Sequence, residues 1–72
     1  MLYRGKRMTN TKVKISKKQA KELVQQLLKD QSFMSYKGKL GYYYSFMAKK
    51  SGINILIYEM DKKYYLEIIS PS

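Results

Sequence analysis

From Thr11 to Ile15 the residues Thr, Lys, Val, Lys and Ile alternate at period two, which sets Thr11, Val13 and Ile15 on one face of a strand and Lys12 and Lys14 on the other. A helix signal follows at once. Ser16 as N-cap and Gln19 three positions on match the capping box, in which each side chain satisfies a backbone N–H of the other residue. Behind the cap, Ala20, Leu23, Val24, Leu27 and Leu28 recur at i, i+3, i+4, i+7 and i+8 and form one apolar stripe. The spacing predicts a helix from about Lys17 to Lys29 or Asp30.

Gln31 to Leu40 reads as a connector with room for a short strand: Phe33, Met34 and Tyr36 are apolar, but Lys37-Gly38-Lys39 is a turn and Gly41 a second breaker. Beyond it, Gly41 to Ala48 carries Tyr42, Tyr43, Tyr44 and Phe46, residue types that favour a pleated sheet. Lys49-Lys50-Ser51-Gly52 turns the chain, Ile53 to Met60 is a second strand, Asp61-Lys62 a tight turn, and Lys63 to Ile69 a third strand ending before Pro71. The predicted fold class is α+β: a short N-terminal strand, one amphipathic helix, then a three-stranded antiparallel meander packed on the helix. In domain terms, residues 1–10 are expected to be a basic, disordered N-terminal segment and residues 11–70 a single small domain.

The meander has two apolar faces. Period two gathers Tyr42, Tyr44, Phe46, Ile53, Ile55, Ile57, Leu66 and Ile68 on one side, and Tyr43, Ser45, Met47, Leu56, Tyr58, Met60, Tyr65, Glu67 and Ile69 on the other. One helix covers one face, and an antiparallel sheet covered on one side normally shows a polar outer face. Three readings of the surplus compete. The connector folds over it or the faces mix through twist; two copies pair through it as a homodimer; or it is an aromatic platform for stacking bases. In the last two, Tyr43, Met47, Leu56, Tyr58, Met60 and Tyr65 form the stacking surface or protein interface.

Charge adds a partner class. Fifteen Lys and Arg against five Asp and Glu give 72 residues a net charge of +10, which favours an anionic partner such as nucleic acid, DNA or RNA. Arg4, Lys6, Arg7, Lys12, Lys14, Lys17, Lys18 and Lys21 all fall within the first 21 residues, where no acid occurs. Most helical lysines, Lys29 included, share one flank of the wheel beside the apolar stripe. Lys17 and Lys18 oppose the helix dipole, an unfavourable choice that a bound phosphate at the helix N-terminus reverses. Arg4, Arg7, Lys12, Lys14, Ser16, Lys17, Lys18, Lys21 and Lys29 are therefore the candidate nucleic-acid-binding residues. Lysine lacks the fork that reads guanine edges in a duplex and only Arg4 and Arg7 carry it, so binding through this set is expected to be largely sequence-independent and salt-dependent.

Several chemistries are excluded or unsupported. With no Cys and no His there is no disulfide framework, no thiolate nucleophile, and none of the usual zinc sites or His-dependent triads. The carboxylates Glu22, Asp30, Glu59, Asp61 and Glu67 offer no converging pair for a metal nuclease or glycosidase, and no Gly-rich phosphate loop occurs. No catalytic residue, metal site or cofactor is assigned. No apolar run suits a secretory signal or a membrane span, so a cytoplasmic protein with no membrane partner is expected. Met8 is a second candidate start, behind a stretch whose codons can resemble a ribosome-binding site; starting there leaves a charge of +7.

The element order departs from the double-stranded RNA-binding domain, which has a helix after its three strands, and from the RNA-recognition fold, which needs a second helix. The leading expectation is a small, basic, non-enzymatic binding protein, homodimeric, that engages nucleic acid or a nucleoprotein through its N-terminal strand and helix flank. The alternative is a phage or mobile-element inhibitor of a host protein, anti-CRISPR-like or otherwise anti-defence, acting through protein–protein contacts.

Overall fold

Ser16 sits in extended backbone and closes the expected capping box: its Oγ accepts from the Gln19 N–H and its own N–H donates to Gln19 Oε1, each at 3.0 Å. The helix α1, Lys17–Lys29, starts from this cap and turns Ala20 and Val24 inward to full or nearly full burial. The computed structural model describes the backbone of residues 8–71 and the side chains of residues 10–71.

Five strands surround this helix in sequence: β1 Met8–Ile15 before it, then β2 Phe33–Lys37, β3 Tyr43–Ala48, β4 Asn54–Met60 and β5 Lys63–Pro71. All five join one sheet in the order β1-β5-β4-β3-β2, with every neighbouring pair antiparallel. It follows that β1 and β2, at opposite edges, run parallel, and that α1 is the crossover linking one edge to the other. The helix contacts β5, β4 and β2 as it crosses.

This overturns the expected three-stranded meander with a separate N-terminal strand. The connector supplies a fourth meander strand: Phe33, Ser35 and Lys37 face the helix layer, Met34 and Tyr36 face away, and the Lys37-Gly38 turn ends the strand rather than preventing it. β1 is the fifth strand, paired with β5 from Met8↔Pro71 to Ile15↔Tyr64. Its start at Met8 lies three residues before the alternation at Thr11, and β5 runs through Pro71 because pairing at this end extends the ladder past the apolar run. The β4–β5 turn has positive φ at both Asp61 (55°) and Lys62 (66°), the conformation that matches the twist of a two-residue hairpin.

The core lies between helix and sheet. Phe46 and Ile57 are fully buried against Ala20 and Val24, with Ile15, Leu23, Leu27, Phe33, Tyr42, Tyr44, Ile55, Tyr64 and Leu66 around them. Every sheet residue in this cluster belongs to one side, and among the described residues no helix packs on the other.

Candidate functional site: the open face of the sheet

The strand register builds the uncovered face residue by residue. Tyr43 pairs with Tyr58 and Tyr58 with Tyr65, so three tyrosines from β3, β4 and β5 stand in one row across the sheet. Their ring centroids are 6.1 Å (Tyr43–Tyr58) and 5.7 Å (Tyr58–Tyr65) apart, each pair tilted by 33°. All three are half-buried. At the β5 end of the row, β1 adds Lys14 opposite Tyr65 and Lys12 opposite Glu67. The Lys12 ammonium lies 4.8 Å from the Tyr65 ring centroid and 5.9 Å from that of Tyr58. Such a cation–π contact contributes about 0.5–1 kcal/mol at an exposed site, little enough for the flexible lysine to turn toward an arriving anion.

Polar contacts fix the row. The Tyr58 hydroxyl donates to Glu67 Oε1 at 3.0 Å, and beside the row the Ser45 hydroxyl donates to Asn54 Oδ1 at 3.1 Å, on the diagonal between the Ser45–Leu56 and Met47–Asn54 pairs. Burial and the hydrogen bond to Glu67 push the Tyr58 pKa up, so the phenol stays protonated and keeps donating. Hydrogen bonds from Asn10 and Tyr58, with attraction from Lys12, hold the Glu67 carboxyl below its ordinary range. On the β2 side the face ends in an apolar margin: Met34 (57% exposed) opposite Met47, with Tyr36 (60%) beside them.

The stacking or interface residues expected from sequence, Tyr43, Met47, Leu56, Tyr58, Met60 and Tyr65, thus share this face. The basic set does not stay together. Lys12 and Lys14 lie on the open face, whereas Lys17, Lys18, Lys21 and Lys29 are exposed on the helix, in the other layer. Lys21 lines a groove with Val24, Gln25, Leu28, Tyr42 and Tyr44. Ser16 Oγ is engaged in the capping box, which explains its presence without a bound phosphate. Arg4 and Arg7 lie outside the described residues.

The site residues expected from sequence left out Met34, Tyr36 and Asn10, and also Glu67, which period two alone puts on this face. The first two follow from the alternation of β2; Asn10 and the placing of Glu67 beside Lys12 require the β1–β5 register, which no local pattern carries. Among the described residues no three Asp or Glu side chains gather at one point, and no helix is long and apolar enough to cross a membrane. No protein-family model, curated protein or solved structure matches the chain.

Proposed function

We propose that this is a non-enzymatic cytoplasmic protein that binds single-stranded nucleic acid across the open face of its sheet. Bases stack on Tyr43, Tyr58 and Tyr65, and Lys12 and Lys14 meet the phosphates. The observation that carries this reading is the tyrosine row with two β1 lysines at its end, on a face that no helix among the described residues covers. A single strand is favoured because its unstacked bases can lie on aromatic rings, whereas duplex bases are already stacked on one another.

The test is fluorescence anisotropy of labelled single-stranded and duplex oligonucleotides at several salt concentrations. Base stacking is worth about 1–3 kcal/mol per base, so Tyr58→Ala weakens single-strand binding by about 5- to 150-fold. Each phosphate contact contributes about −0.7 to the slope of log K against log salt for single strands, so Lys12→Ala makes the slope shallower by about that amount. Equal affinity of wild type and Tyr58→Ala excludes the stacking platform.

A second reading rests on Met34, Tyr36, Met47 and Met60, all exposed on the same face. Such an apolar margin suits a protein partner, either a second copy of the chain or a host protein inhibited by it. Salt-insensitive capture of a protein, with no oligonucleotide bound at low salt, is the outcome that selects it.

A further inference from the structure

Glu67 is the one carboxylate that the strand register places on the open face; Glu59, opposite Tyr64, belongs to the helix side and Asp61 to a turn. It stands among the groups proposed to receive a polyanion, and its surroundings keep it charged. For phosphate contact alone this is the wrong sign at the centre of the site, since a fixed negative charge beside Lys12 offsets the attraction of that lysine. For the edge of a base the sign is right. A carboxylate has about four lone-pair positions, of which the Tyr58 hydroxyl takes one, leaving acceptor capacity on a side chain held by its neighbour.

We infer that Glu67 is a specificity-determining acceptor that reads the Watson–Crick edge of a stacked base, and that the preferred ligand is a guanine-containing single strand. This rests on the proposed stacking function and names what the same site selects. Guanine presents two adjacent donors, N1–H and N2–H₂, which match the two oxygens of a carboxylate. Cytosine and adenine present one amino donor beside a ring-nitrogen acceptor. Thymine and uracil present a single N–H between two carbonyls that repel the carboxylate. The order of preference is therefore guanine, then cytosine or adenine, then thymine or uracil. Tyr58 is a positioning residue here: its ring stacks and its hydroxyl holds Glu67.

The experiment compares nine-nucleotide single strands: a thymine tract and tracts with guanine, cytosine or adenine at alternate positions, each against wild type, Glu67→Gln and Tyr58→Phe. A bidentate base contact discriminates by about 5- to 150-fold, so the wild type is expected to prefer the guanine oligonucleotide to the thymine tract by about tenfold or more. Glu67→Gln removes the negative charge and should move the two ligands in opposite directions: thymine-tract affinity rises, and the guanine preference falls to within about threefold. A merely structural glutamate would weaken all ligands alike. Tyr58→Phe keeps the ring and removes the hydroxyl that holds Glu67; it narrows the guanine-to-thymine preference, and it serves if Glu67→Gln folds poorly. Equal wild-type affinity for guanine and thymine, or a preference retained in both variants, overturns the inference while leaving the stacking function standing. Absence of binding to every oligonucleotide removes both.

Discussion

Lys17 occupies the first helical position, with no acid in the first turn and Lys21 one turn on, so replacing it with glutamate changes two electrostatic interactions at once. A positive charge at the helix N-terminus becomes a negative one, worth about 0.3–1 kcal/mol in favour of the variant. The i,i+4 pair with Lys21 changes from repulsive to attractive, and each sign is worth about 0.2–0.5 kcal/mol, which brings the expected gain to about 0.7–2 kcal/mol. The cap is untouched, because Ser16 and Gln19 bond each other. For a domain of this size each kcal/mol moves the midpoint by about 4–8 °C. Urea or thermal unfolding of wild type and Lys17→Glu at low ionic strength measures the gain, and a repeat at 1 M salt, where the Debye length is about 3 Å, should remove most of it. Lys18→Glu should gain less, because it creates a like-charge pair with Glu22. Unchanged or lower stability of Lys17→Glu at low salt refutes the electrostatic reasoning. The same variant separates two binding surfaces: oligonucleotide affinity falls by less than about threefold if the open face binds, and far more if the helix end is the phosphate site.

Phe46 is fully buried at the centre of a small core, and Phe46→Ala should cost about 3–5 kcal/mol in chemical denaturation, a large share of the about 4–11 kcal/mol expected for 72 residues. Ser16→Ala should cost about 1 kcal/mol and lower helicity by circular dichroism, since it removes half of the capping box. Gly52 has φ +77°, with the nearest atom to an added Cβ at 3.7 Å, so Gly52→Ala should destabilise by about 1 kcal/mol through backbone strain rather than a clash. The Glu67 pKa is lowered in the folded state, so its contribution is present above the ordinary carboxylate range and is lost as pH falls through the lower folded value. Acid unfolding curves of Glu67→Gln should accordingly be flatter than those of wild type below about pH 5.

The helix and both faces of the β3–β5 meander are legible in the chain because their signals are local. Ser16 and Gln19 bond within one turn, and period two sorts Tyr43, Tyr58 and Tyr65 from Tyr44, Ile57 and Leu66 whatever the strand order. β2 is obscured because it is five residues long, sits at an edge, and ends at a Lys37-Gly38-Lys39 turn that dominates the local reading. The partner of β1 is invisible for a different reason: its ladder to β5 joins residues more than 45 positions apart. That distance also misleads about the site. Lys12, Lys14, Lys17, Lys18 and Lys21 are neighbours in sequence, yet the strand turns the first two to the open face while the helix carries the others in the opposite layer. Nonlocal pairing, in turn, brings Lys12 to Glu67 and the tyrosine row.

The most direct measurement is titration of the isotope-labelled protein with a short guanine-containing single strand, following the amide and tyrosine-ring resonances by NMR. The account predicts that the largest shifts fall on Lys12, Lys14, Tyr43, Tyr58, Tyr65 and Glu67, with Lys17, Lys18 and Lys21 little affected. Shifts concentrated on the helix N-terminus, with the tyrosine row unmoved, would contradict it.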